Sequence, residues 1–500
     1  MTEHSPPPPA PSHVVPLRFV RRGQVVEIGN VSPQRTLLEL LREDLRLCDT
    51  KEACASGDCG AYTVMVGELH EGQLRTRAVN SCIKPAHSIR DQALWTADDL
   101  PRADGRLHPV QDALVRCHAS QCGFCTPGFT MSLLALYERT VAQGRTVDRS
   151  QALQAISGNL CRCTGYRPIL DAACSLRADP AHALDRETLV RQLEALAATR
   201  ADDRGSDYQR PTTLNDLLQA RARHPEAQLV AGATDLGLGI TQGEPTWRQL
   251  IEVSSVAPLR RIESYPHHLA IGAAAPLQEA FDALSVHWPA VHAFGERFAG
   301  WPVRQSGTLG GNIVNGSPIG DSMPLLIALG AQVILMAWRR GRAVHRHVPL
   351  EDFYTGYKRH LLARDEVLAW VVVPKPQAQD WLGVYKVSKR HEDDISAVCL
   401  AVWLRHENGV RQGRIEAVRI GAGGVAAQPM RARQTEATLL GQTWSEDRVA
   451  RAADTIGEDF HPLSDLRASA SYRRLLLGRL LHRAWLESQG RHDVRLEELA

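Results

Sequence analysis

Four cysteines form two close pairs, Cys122-Gly-Phe-Cys125 and Cys161-Arg-Cys163, which we call the helical cysteine group. Four thiolates brought together can hold an iron–sulfur cluster or a zinc ion, because soft sulfur ligands select these metals over hard cations. A C-x-C pair is uncommon at zinc sites, so the spacing favours a cluster. A zinc-binding scaffold and a set of buried free cysteines are the alternatives that the residues leave open.

A second set, the N-terminal cysteine group, consists of Cys54, Cys59 and Cys82. The plant-type ferredoxin spacing is C-x4-C-x2-C with a fourth cysteine downstream, and Tyr62 stands at its third position here. A phenol is a poor substitute for a thiolate, because its pKa is near 10 and its oxygen is a harder ligand. Cys48 lies on the other side of the loop from the missing position. The pattern predicts three ligands of four, and a loop that has kept its shape without its metal is the alternative.

Two glycine-rich turns are candidates for phosphate binding. Gln228–Leu236 is an apolar run that ends in small residues, and Gly307–Ile313 is followed closely by Ser317–Asp321. Glycines let the backbone approach a pyrophosphate, and successive N–H groups can form an anion-binding nest. Neither turn has the G-x-G-x-x-G fingerprint, so each is by itself more typical of an ordinary turn.

The composition limits the class of protein that can carry these motifs. A length of 500 residues corresponds to about three domains. With 44% hydrophobic and 23% charged residues, a disordered or collagen-like chain is excluded. Lys+Arg (58) and Asp+Glu (56) nearly balance, so charge gives no reason to expect nucleic acid or an anionic membrane as a partner. The 11 cysteines are odd in number and concentrated in the first third, which argues against a disulfide framework.

The sequence predicts a cytoplasmic protein. Its longest apolar stretch, Leu325–Trp338, is too short to span a bilayer. The polar, proline-rich N-terminus has no signal-peptide pattern, and Arg21-Arg22 is followed by a polar segment unlike a twin-arginine signal.

Hydrophobic spacing predicts the elements that position the motifs. The first pair of the helical cysteine group precedes a helix expected at 127–137, and the second pair lies between turns at Gly158-Asn159 and Gly165-Tyr166. Backbone N–H groups at such a helix end or turn are free to bond cluster sulfurs. Expected strands cover 16–20, 24–28, 62–66, 384–387, 398–404 and 415–420. Expected helices cover 36–47, 131–137, 151–156, 188–198, 446–456 and 472–486, and a polar run at 199–207 is typical of a linker.

Long strings around both cysteine groups resemble the xanthine dehydrogenase/aldehyde oxidase family. Thr50–Ala61 and Asn80-Ser-Cys82 look like the family's ferredoxin-like module. Gln121–Gly128 and Gly158–Pro168 are similar to its helical cluster module nearly residue for residue. The resemblance implies one [2Fe-2S] cluster in each module, with Cys54, Cys59, Cys82, Cys122, Cys125, Cys161 and Cys163 as ligands. The departure at Tyr62 puts the first cluster in question.

The resemblance extends from about residue 17 to the C-terminus and implies a multidomain α+β architecture. The implied parts are a disordered tail at 1–13, a ferredoxin-like β-grasp [2Fe-2S] domain at 14–90, an all-α helical-bundle [2Fe-2S] domain at 91–180, a linker at 181–207, a vanillyl-alcohol-oxidase-type α+β FAD-binding domain at 208–380 and an α+β C-terminal flavoprotein subdomain at 381–500.

By the same resemblance, FAD is held by both glycine-rich turns and by further matched positions. The implied contacts are Leu229, Val230, Ala231, Gly232, Ala233, Thr234, Asp235, Leu236, Phe298, Thr308, Leu309, Gly310, Gly311, Asn312, Asp321, Leu368 and Lys386. No catalytic acid, base or nucleophile is implied, since the clusters and flavin carry the chemistry.

The implied function is that of an electron-transfer subunit. Family members of full length continue into a molybdopterin part, so the chain is expected to be the small subunit of a bacterial two-subunit enzyme, in a heterotetramer of two small and two large subunits. The partner would oxidise hypoxanthine or xanthine to urate, and electrons would pass through two [2Fe-2S] clusters to FAD and on to NAD⁺. The alternatives are the small subunit of another molybdenum hydroxylase, for an aldehyde or N-heterocycle, and the zinc-binding scaffold.

Overall fold

The computed structural model is a multidomain α+β chain that divides into two compact units. The described residues are 15–102, 104–243, 247–391, 393–407 and 413–491, so the expected tail at 1–13 lies outside them. The first unit comprises residues 1–212, 226–255 and 301–303, and the second comprises 213–225, 256–300 and 304–500.

The first unit begins with a mixed sheet, whose strand order in the described residues is β2-β1-β5-β3-β4. The strands are β1 (Leu17–Arg21), β2 (Gln24–Ile28), β3 (Thr63–His70), β4 (Gln73–Asn80) and β5 (Ala93–Trp95). The pairing of β1 with β5 is parallel, whereas the other pairs are antiparallel. Because β5 belongs to this sheet, the sheet continues past the expected domain end at residue 90. A strand of three residues is too short to show an alternating pattern.

The helix expected at 36–47 is shorter and irregular. Thr36 accepts a hydrogen bond from the Glu39 amide, and the Glu39 side chain accepts one from Thr36 N–H, which forms a capping box. Helix α1 (Leu37–Glu39) then continues as a π-helical turn, Leu40–Asp44. Leu37, Leu40 and Leu41 of this segment are buried against the first sheet, and a loop then leads to the N-terminal cysteine group.

The helical part of the first unit confirms the helices expected at 131–137 and 151–156. Its helices are α2 (Pro109–Arg116), α3 (Thr126–Arg139), α4 (Arg149–Ile156) and α5 (Arg167–Cys174). They enclose a core that contains Phe129, Leu133 and Tyr137.

The expected linker at 181–207 is not a free connection. Residues 186–198 form helix α6 (Arg186–Ala198), as the spacing at 188–198 predicts, and Leu189, Leu193 and Leu196 pack on Val20 of the first sheet. The polar run at 199–207 is also anchored, because the Asp203 carboxylate forms a buried ion pair with Arg90 at 3.0 Å. A segment whose charged residues form buried ion pairs has the same composition as a solvated linker, so composition alone does not distinguish the two.

A small sheet completes the first unit, with three strands among the described residues. The chain passes through α7 (Leu214–Arg223), which belongs to the second unit, between the first two of its strands. The sheet order is β6-β8-β7, from β6 (Tyr208–Gln209), β7 (Gln228–Val230) and β8 (Leu250–Glu252), and α8 (Leu236–Gln242) lies between β7 and β8. All pairings are parallel, so the loop after β7 lies at the carboxyl edge of the strands.

The second unit contains two larger sheets, with a core built around residues such as Phe281, Leu325 and Leu335. The order of the first is β12-β11-β15-β10-β9 within the described residues. The elements along this part of the chain are β9 (Ile262–Ser264), β10 (His268–Gly272), α9 (Leu277–His287), α10 (Val291–Glu296), α11 (Trp301–Ser306), α12 (Leu309–Asn315), α13 (Ser322–Ala328), β11 (Gln332–Arg339), β12 (Arg342–Pro349), α14 (Leu350–Phe353), β13 (Tyr354–Gly356), β14 (Arg359–His360) and β15 (Glu366–Pro374). Strands β13 and β14 pair with each other outside the larger sheet, and the first three residues of α11 belong to the first unit.

The C-terminal sheet confirms the strands and helices expected beyond residue 383. Within the described residues its order is β16-β17-β18-β19, and three helices follow it. The elements are β16 (Asp380–Val387), β17 (Val398–His406), β18 (Ile415–Gly423), β19 (Met430–Arg431), α15 (Arg433–Leu439), α16 (Glu446–Thr455) and α17 (Ala470–Ser488). Among the described residues, no helix has the length and apolar character needed to cross a bilayer.

Candidate functional site

The helical cysteine group lies where α3 begins and in the loop between α4 and α5. Cys125 is the N-cap residue of α3, and Cys122 is exposed just before it. Cys163 is exposed and Cys161 is half-buried in the α4–α5 loop. The structure therefore brings all four predicted residues to one side of the helical part.

The four thiols face one another in two pairs. Burial, together with a hydrogen bond to Cys161, raises the pKa of Cys125 to about 12. A hydrogen bond between Cys163 and Cys122 raises the pKa of the fully exposed Cys163. Paired thiols of this kind are the donor set that a four-thiolate cluster requires.

Hydrogen-bond donors surround Cys161. Burial opposes ionisation of this thiol, but the Thr164 hydroxyl, 3.1 Å from Sγ, and the Thr164 amide, 3.4 Å away, outweigh it and lower the pKa of Cys161. The Cys161 amide itself donates to the Tyr166 hydroxyl at 3.0 Å. Donors to sulfur stabilise added negative charge, so this environment fits a [2Fe-2S] cluster and would tune its potential.

The N-terminal cysteine group is assembled from a loop and a 3₁₀ turn. Cys54 is exposed and Cys59 is half-buried in the loop, whereas Cys82 is buried within the turn Ser81–Ile83. The side-chain amide of Asn80 donates to the Gly57 carbonyl at 2.6 Å and fixes the loop against the turn. The three predicted cysteines are therefore brought together.

Tyr62 places its phenol among these three sulfurs. Its hydroxyl lies 2.6 Å from Cys54 Sγ and accepts from the Cys59 amide at 3.3 Å. A hydrogen bond from the Cys59 thiol, aided by Ser56 and Tyr62 and opposed by burial, lowers the pKa of Cys54 to about 3. Burial raises the pKa of Cys82 to about 12 and, with the charge at Cys82, raises the pKa of Tyr62 as well. Three sulfurs in contact with a neutral phenol differ from the four-thiolate set of a ferredoxin-type cluster.

The two cysteine groups are joined directly. The Leu160 amide, next to Cys161, donates to the Cys59 carbonyl at 2.9 Å. The Asn159 side chain donates to the Gly60 carbonyl at 3.0 Å and accepts from Ser132 at 2.6 Å. Added Cβ atoms at Gly60 or Gly128 would collide with backbone across this joint. The family resemblance includes these glycines and Asn159 in its matching strings, but it does not reveal that they meet.

Helix α8 contacts the other side of the N-terminal cysteine group. A Cβ at Gly237 would collide with the Ile83 backbone, and Leu238 packs in one apolar cluster with Tyr62 and Cys82. The predicted flavin-binding turn immediately precedes α8. Within the first unit, the N-terminal cysteine group therefore lies between the helical cysteine group and that turn.

The turn between β7 and α8 is partly exposed, with Ala233 buried within it. Ala231, Gly232 and Thr234 are half-buried, Asp235 is exposed and Ala233 has φ = 60°. A left-handed residue within a turn of small side chains can direct consecutive N–H groups towards an anion, so the turn fits a dinucleotide phosphate.

The second glycine-rich turn begins α12. The Thr308 hydroxyl accepts from the Gly311 amide at 3.1 Å and so caps the helix. Gly310 lies too close to Ala273 for a side chain, Gly311 is exposed, and Asn312 accepts from Ser322 at 2.5 Å. A ligand can therefore approach the backbone of this turn at Gly311, while the Gly310, Gly311 and Asn312 amides are bonded within the protein.

Asp321 and Lys386 form a buried ion pair in the second unit. The Lys386 ammonium lies 2.9 Å from the Asp321 carboxylate and donates to the Arg297 carbonyl at 2.9 Å. Ser396, which the sequence did not single out, donates to Asp321 at 2.5 Å. Buried charges with all of these hydrogen bonds made are held in one geometry. The Asp321–Lys386 pair therefore has a fixed position within the second unit.

Of the remaining predicted flavin contacts, Leu229 and Leu236 are half-buried beside the first turn, whereas the others are core positions. Phe298 is 8% exposed and packs on Phe281 with ring centroids 5.3 Å apart. Leu368 is 4% exposed and pairs with Leu335 across the sheet. Leu309 at the start of α12 is buried as well, so its role at a ligand would be through its backbone.

Three family models match successive parts of the chain. A model described as "[2Fe-2S] binding domain" matches residues 96–174, which contain all of the helical cysteine group. "FAD binding domain in molybdopterin dehydrogenase" matches residues 202–376, and "CO dehydrogenase flavoprotein C-terminal domain" matches residues 383–488.

Curated relatives match almost the whole chain. Over 94% of its length it is 33% identical to xanthine dehydrogenase of Drosophila subobscura, and over 92% it is 29% identical to xanthine dehydrogenase/oxidase of Mus musculus. Xanthine dehydrogenase 1 of Arabidopsis thaliana is 30% identical over 85%. The chain spans only 39%, 38% and 36% of these relatives respectively.

Solved structures match a little over half of the chain. Carbon monoxide dehydrogenase from Hydrogenophaga pseudoflava is 26% identical with a TM-score of 0.53, and 57% of this chain covers 97% of that one. Quinoline 2-oxidoreductase from Pseudomonas putida 86 is 25% identical with a TM-score of 0.51, again over 57% and 97% of the two chains. A substantial part of the chain therefore shares its fold with single chains of these oxidoreductases.

Proposed function

The chain belongs to the xanthine dehydrogenase/aldehyde oxidase family as an iron–sulfur and FAD electron-transfer module, and from this we propose that it serves a purine hydroxylase. In this proposal a separate molybdopterin-binding subunit oxidises hypoxanthine or xanthine, two copies of each subunit form a cytoplasmic heterotetramer, and NAD⁺ is the final acceptor. When bound, the helical cluster would carry single electrons and FAD would convert them into hydride transfer.

One observation carries the proposal: the helical cysteine group and the first flavin-binding turn lie in the same compact unit, connected through contacts. The Leu160–Cys59 hydrogen bond begins this connection, and the packing of Leu238 against Tyr62 and Cys82 completes it. An electron-transfer module needs its redox groups close together on a rigid support. The connected core supplies that support.

The surface beside the helical cysteine group supports a partner there. Phe124 is 46% exposed and Leu160 is 50% exposed, next to the exposed thiols of Cys122 and Cys163. Exposed apolar side chains that adjoin a redox site favour contact with another protein. A molybdopterin subunit at this surface would deliver electrons at the most accessible edge of the module.

The chain's own residues would bind and orient rather than react. Thr164 would hold negative charge at Cys161, and the turn at 231–235 would bind phosphate through its backbone. Asp321 and Lys386 would contribute polar contacts to FAD, as the family resemblance implies. Cys122, Cys125, Cys161 and Cys163 would hold the helical cluster.

A second substrate class is favoured by the solved relatives. The matched quinoline and carbon monoxide enzymes share this fold while acting on other substrates. Substrate choice would lie in the partner, so the same module could serve an aldehyde or N-heterocycle hydroxylase.

The test begins with the purified full chain under anaerobic conditions. We expect FAD to be present and to be bleached by NADH, whereas a chain without flavin, or a flavin that NADH does not reduce, would refute NAD⁺ as acceptor. The complex purified with its partner is then assayed with xanthine, an aldehyde and quinoline. Xanthine-dependent NAD⁺ reduction supports the purine assignment, and activity only with another substrate replaces it.

A further inference from the structure

The N-terminal cysteine group differs from the helical group because the Tyr62 phenol lies among its sulfurs. We infer that it holds no [2Fe-2S] cluster, because the Tyr62 phenol occupies the space that a cluster would need. The inference concerns a part of the proposed electron-transfer module, but it rests only on this group's own geometry.

The first step is the reach of the side chain. A tyrosine oxygen lies roughly 4 Å farther from its own backbone than a cysteine sulfur does. Replacing cysteine by tyrosine at position 62 therefore moves the donor atom across the site and does not simply exchange it. The oxygen arrives beside the sulfur of Cys54, at 2.6 Å.

The second step is the distance that metal ligands must keep. Two ligands of one tetrahedral metal ion lie about 3.5 Å apart, given metal–sulfur and metal–oxygen bonds of about 2.3 and 2.0 Å. Ligands of two different irons lie farther apart still. A Tyr62 oxygen in hydrogen-bond contact with Cys54 leaves no position for a metal ion between them.

The third step is that the phenol is held in place. Tyr62 is 0% exposed, and its ring packs among Leu38, Ile83 and Leu238. Its carbonyl accepts from the Ser81 hydroxyl at 2.7 Å. The side chain cannot swing aside for a cluster without opening this apolar core.

The backbone amides of the cysteine loop already donate hydrogen bonds within the protein. The Cys59 amide is directed to both Cys54 Sγ, at 3.4 Å, and the Tyr62 oxygen, at 3.3 Å. The Ser56 amide donates to Cys54 Sγ at 3.4 Å. In cluster sites such amides serve the bound sulfurs, whereas here they close a ring within the protein. The group thus becomes a joint that ties its loop to the helical part and to α8.

The test is iron, acid-labile sulfide and EPR on the full-length chain reduced with dithionite. We expect about two irons and one signal per wild-type chain, the content of one [2Fe-2S] cluster. Cys54→Ser should leave the iron content unchanged, and Cys125→Ser should remove it. Wild-type protein with about four irons and two signals, or loss of iron in Cys54→Ser, overturns the inference.

A gain-of-cluster variant tests the role of the phenol directly. Tyr62→Cys should raise the content to about four irons with a second EPR signal, whereas Tyr62→Phe, which keeps the ring, should stay at about two. An unchanged Tyr62→Cys chain that folds as judged by circular dichroism contradicts the steric argument. If that variant does not fold, the wild-type count and Cys54→Ser decide. Flavin reduction by NADH is measured separately, so failure of the proposed function is distinguishable.

Discussion

The two cysteine groups have similar ligand chemistry but different interiors. In the helical group the thiols face one another at the protein surface, and a neighbouring threonine donates to sulfur. In the N-terminal group a buried phenol takes the central place and bonds to Cys54. The comparison teaches that cysteine spacing specifies where a loop can hold a metal, whereas a single large side chain decides whether the space is there.

We expect the largest loss of stability from a substitution at the contact between the two cysteine groups. Gly60→Ala would push a Cβ into the Gly158 backbone and Asn159 at a residue with φ = 65°, so we expect a loss on the order of 4 kcal/mol in unfolding free energy. Gly72→Ala is the matched control, since Gly72 has φ = 76° and open space, and about 1 kcal/mol is expected. Denaturant unfolding measures both. Equal losses would mean that the close approach does not matter.

Acid should weaken both regions through one buried histidine each. Burial lowers the pKa of His87, in the N-terminal part, and of His108, before α2, to about 4. Below pH 6.5 these two histidines bind protons in the unfolded chain but stay neutral in the folded protein. The free energy of unfolding therefore falls as the pH is lowered from 6.5 to 4 and levels off below pH 4. Each histidine accounts for about 3 kcal/mol.

The His108→Asn variant isolates one of these contributions. The His108 ring accepts from the Val110 amide at 3.2 Å, and asparagine can keep this helix cap while it removes the titration. The variant should lose less stability than the wild type on acidification, as followed by denaturant unfolding at pH 7 and pH 4. The same pH slope in both proteins would exclude His108 as a source.

Removing only the phenol oxygen should have a smaller effect. Tyr62→Phe deletes the bonds to Cys54 and Cys59 but keeps the buried ring, so a loss of about 1–2 kcal/mol is expected. Thermal unfolding of both proteins measures it. A stabilised variant would show that the oxygen contributes strain rather than bonding.

The smallest effect is expected at the helical group. Thr164→Val removes the hydroxyl donor to Cys161 and should lower the cluster's reduction potential by tens of millivolts, because the reduced state carries more negative charge. Thr164→Ser keeps the hydroxyl and should match the wild type in a redox titration. A potential that does not move in either variant would mean that the bond is not made to the loaded site.

Much of the fold was predictable because its segments are strongly patterned. The apolar spacing of α3, α16 and α17 and the alternation in β17 and β18 are visible in the sequence, and the structure confirms them. The three-residue strand β5 was missed because it is too short for a pattern. The buried Asp203–Arg90 pair was mistaken for linker because ion pairs between distant segments leave no local signal.

The sequence predicted which residues belong to the candidate site, but not which of them contact one another. Spacing and resemblance identified the cysteines and the departure at Tyr62, yet a pattern does not say where the phenol oxygen ends. The Asn159–Gly60 joint links positions 99 residues apart, and the Ser396–Asp321 bond links positions 75 apart. Such pairings arise from tertiary packing, which a single sequence does not encode locally.

The position of α6 in the sequence has a consequence for folding during synthesis on the ribosome. Its leucines, with α3, cover the face of the first sheet that contains Val20 and Met65, but they are synthesised about 100 residues after β5. At ordinary translation rates that is a delay of roughly 5–20 s. During this interval the apolar face that contains Val20 and Met65 is only partly covered, so this face of the sheet stays open to solvent until α6 has been synthesised.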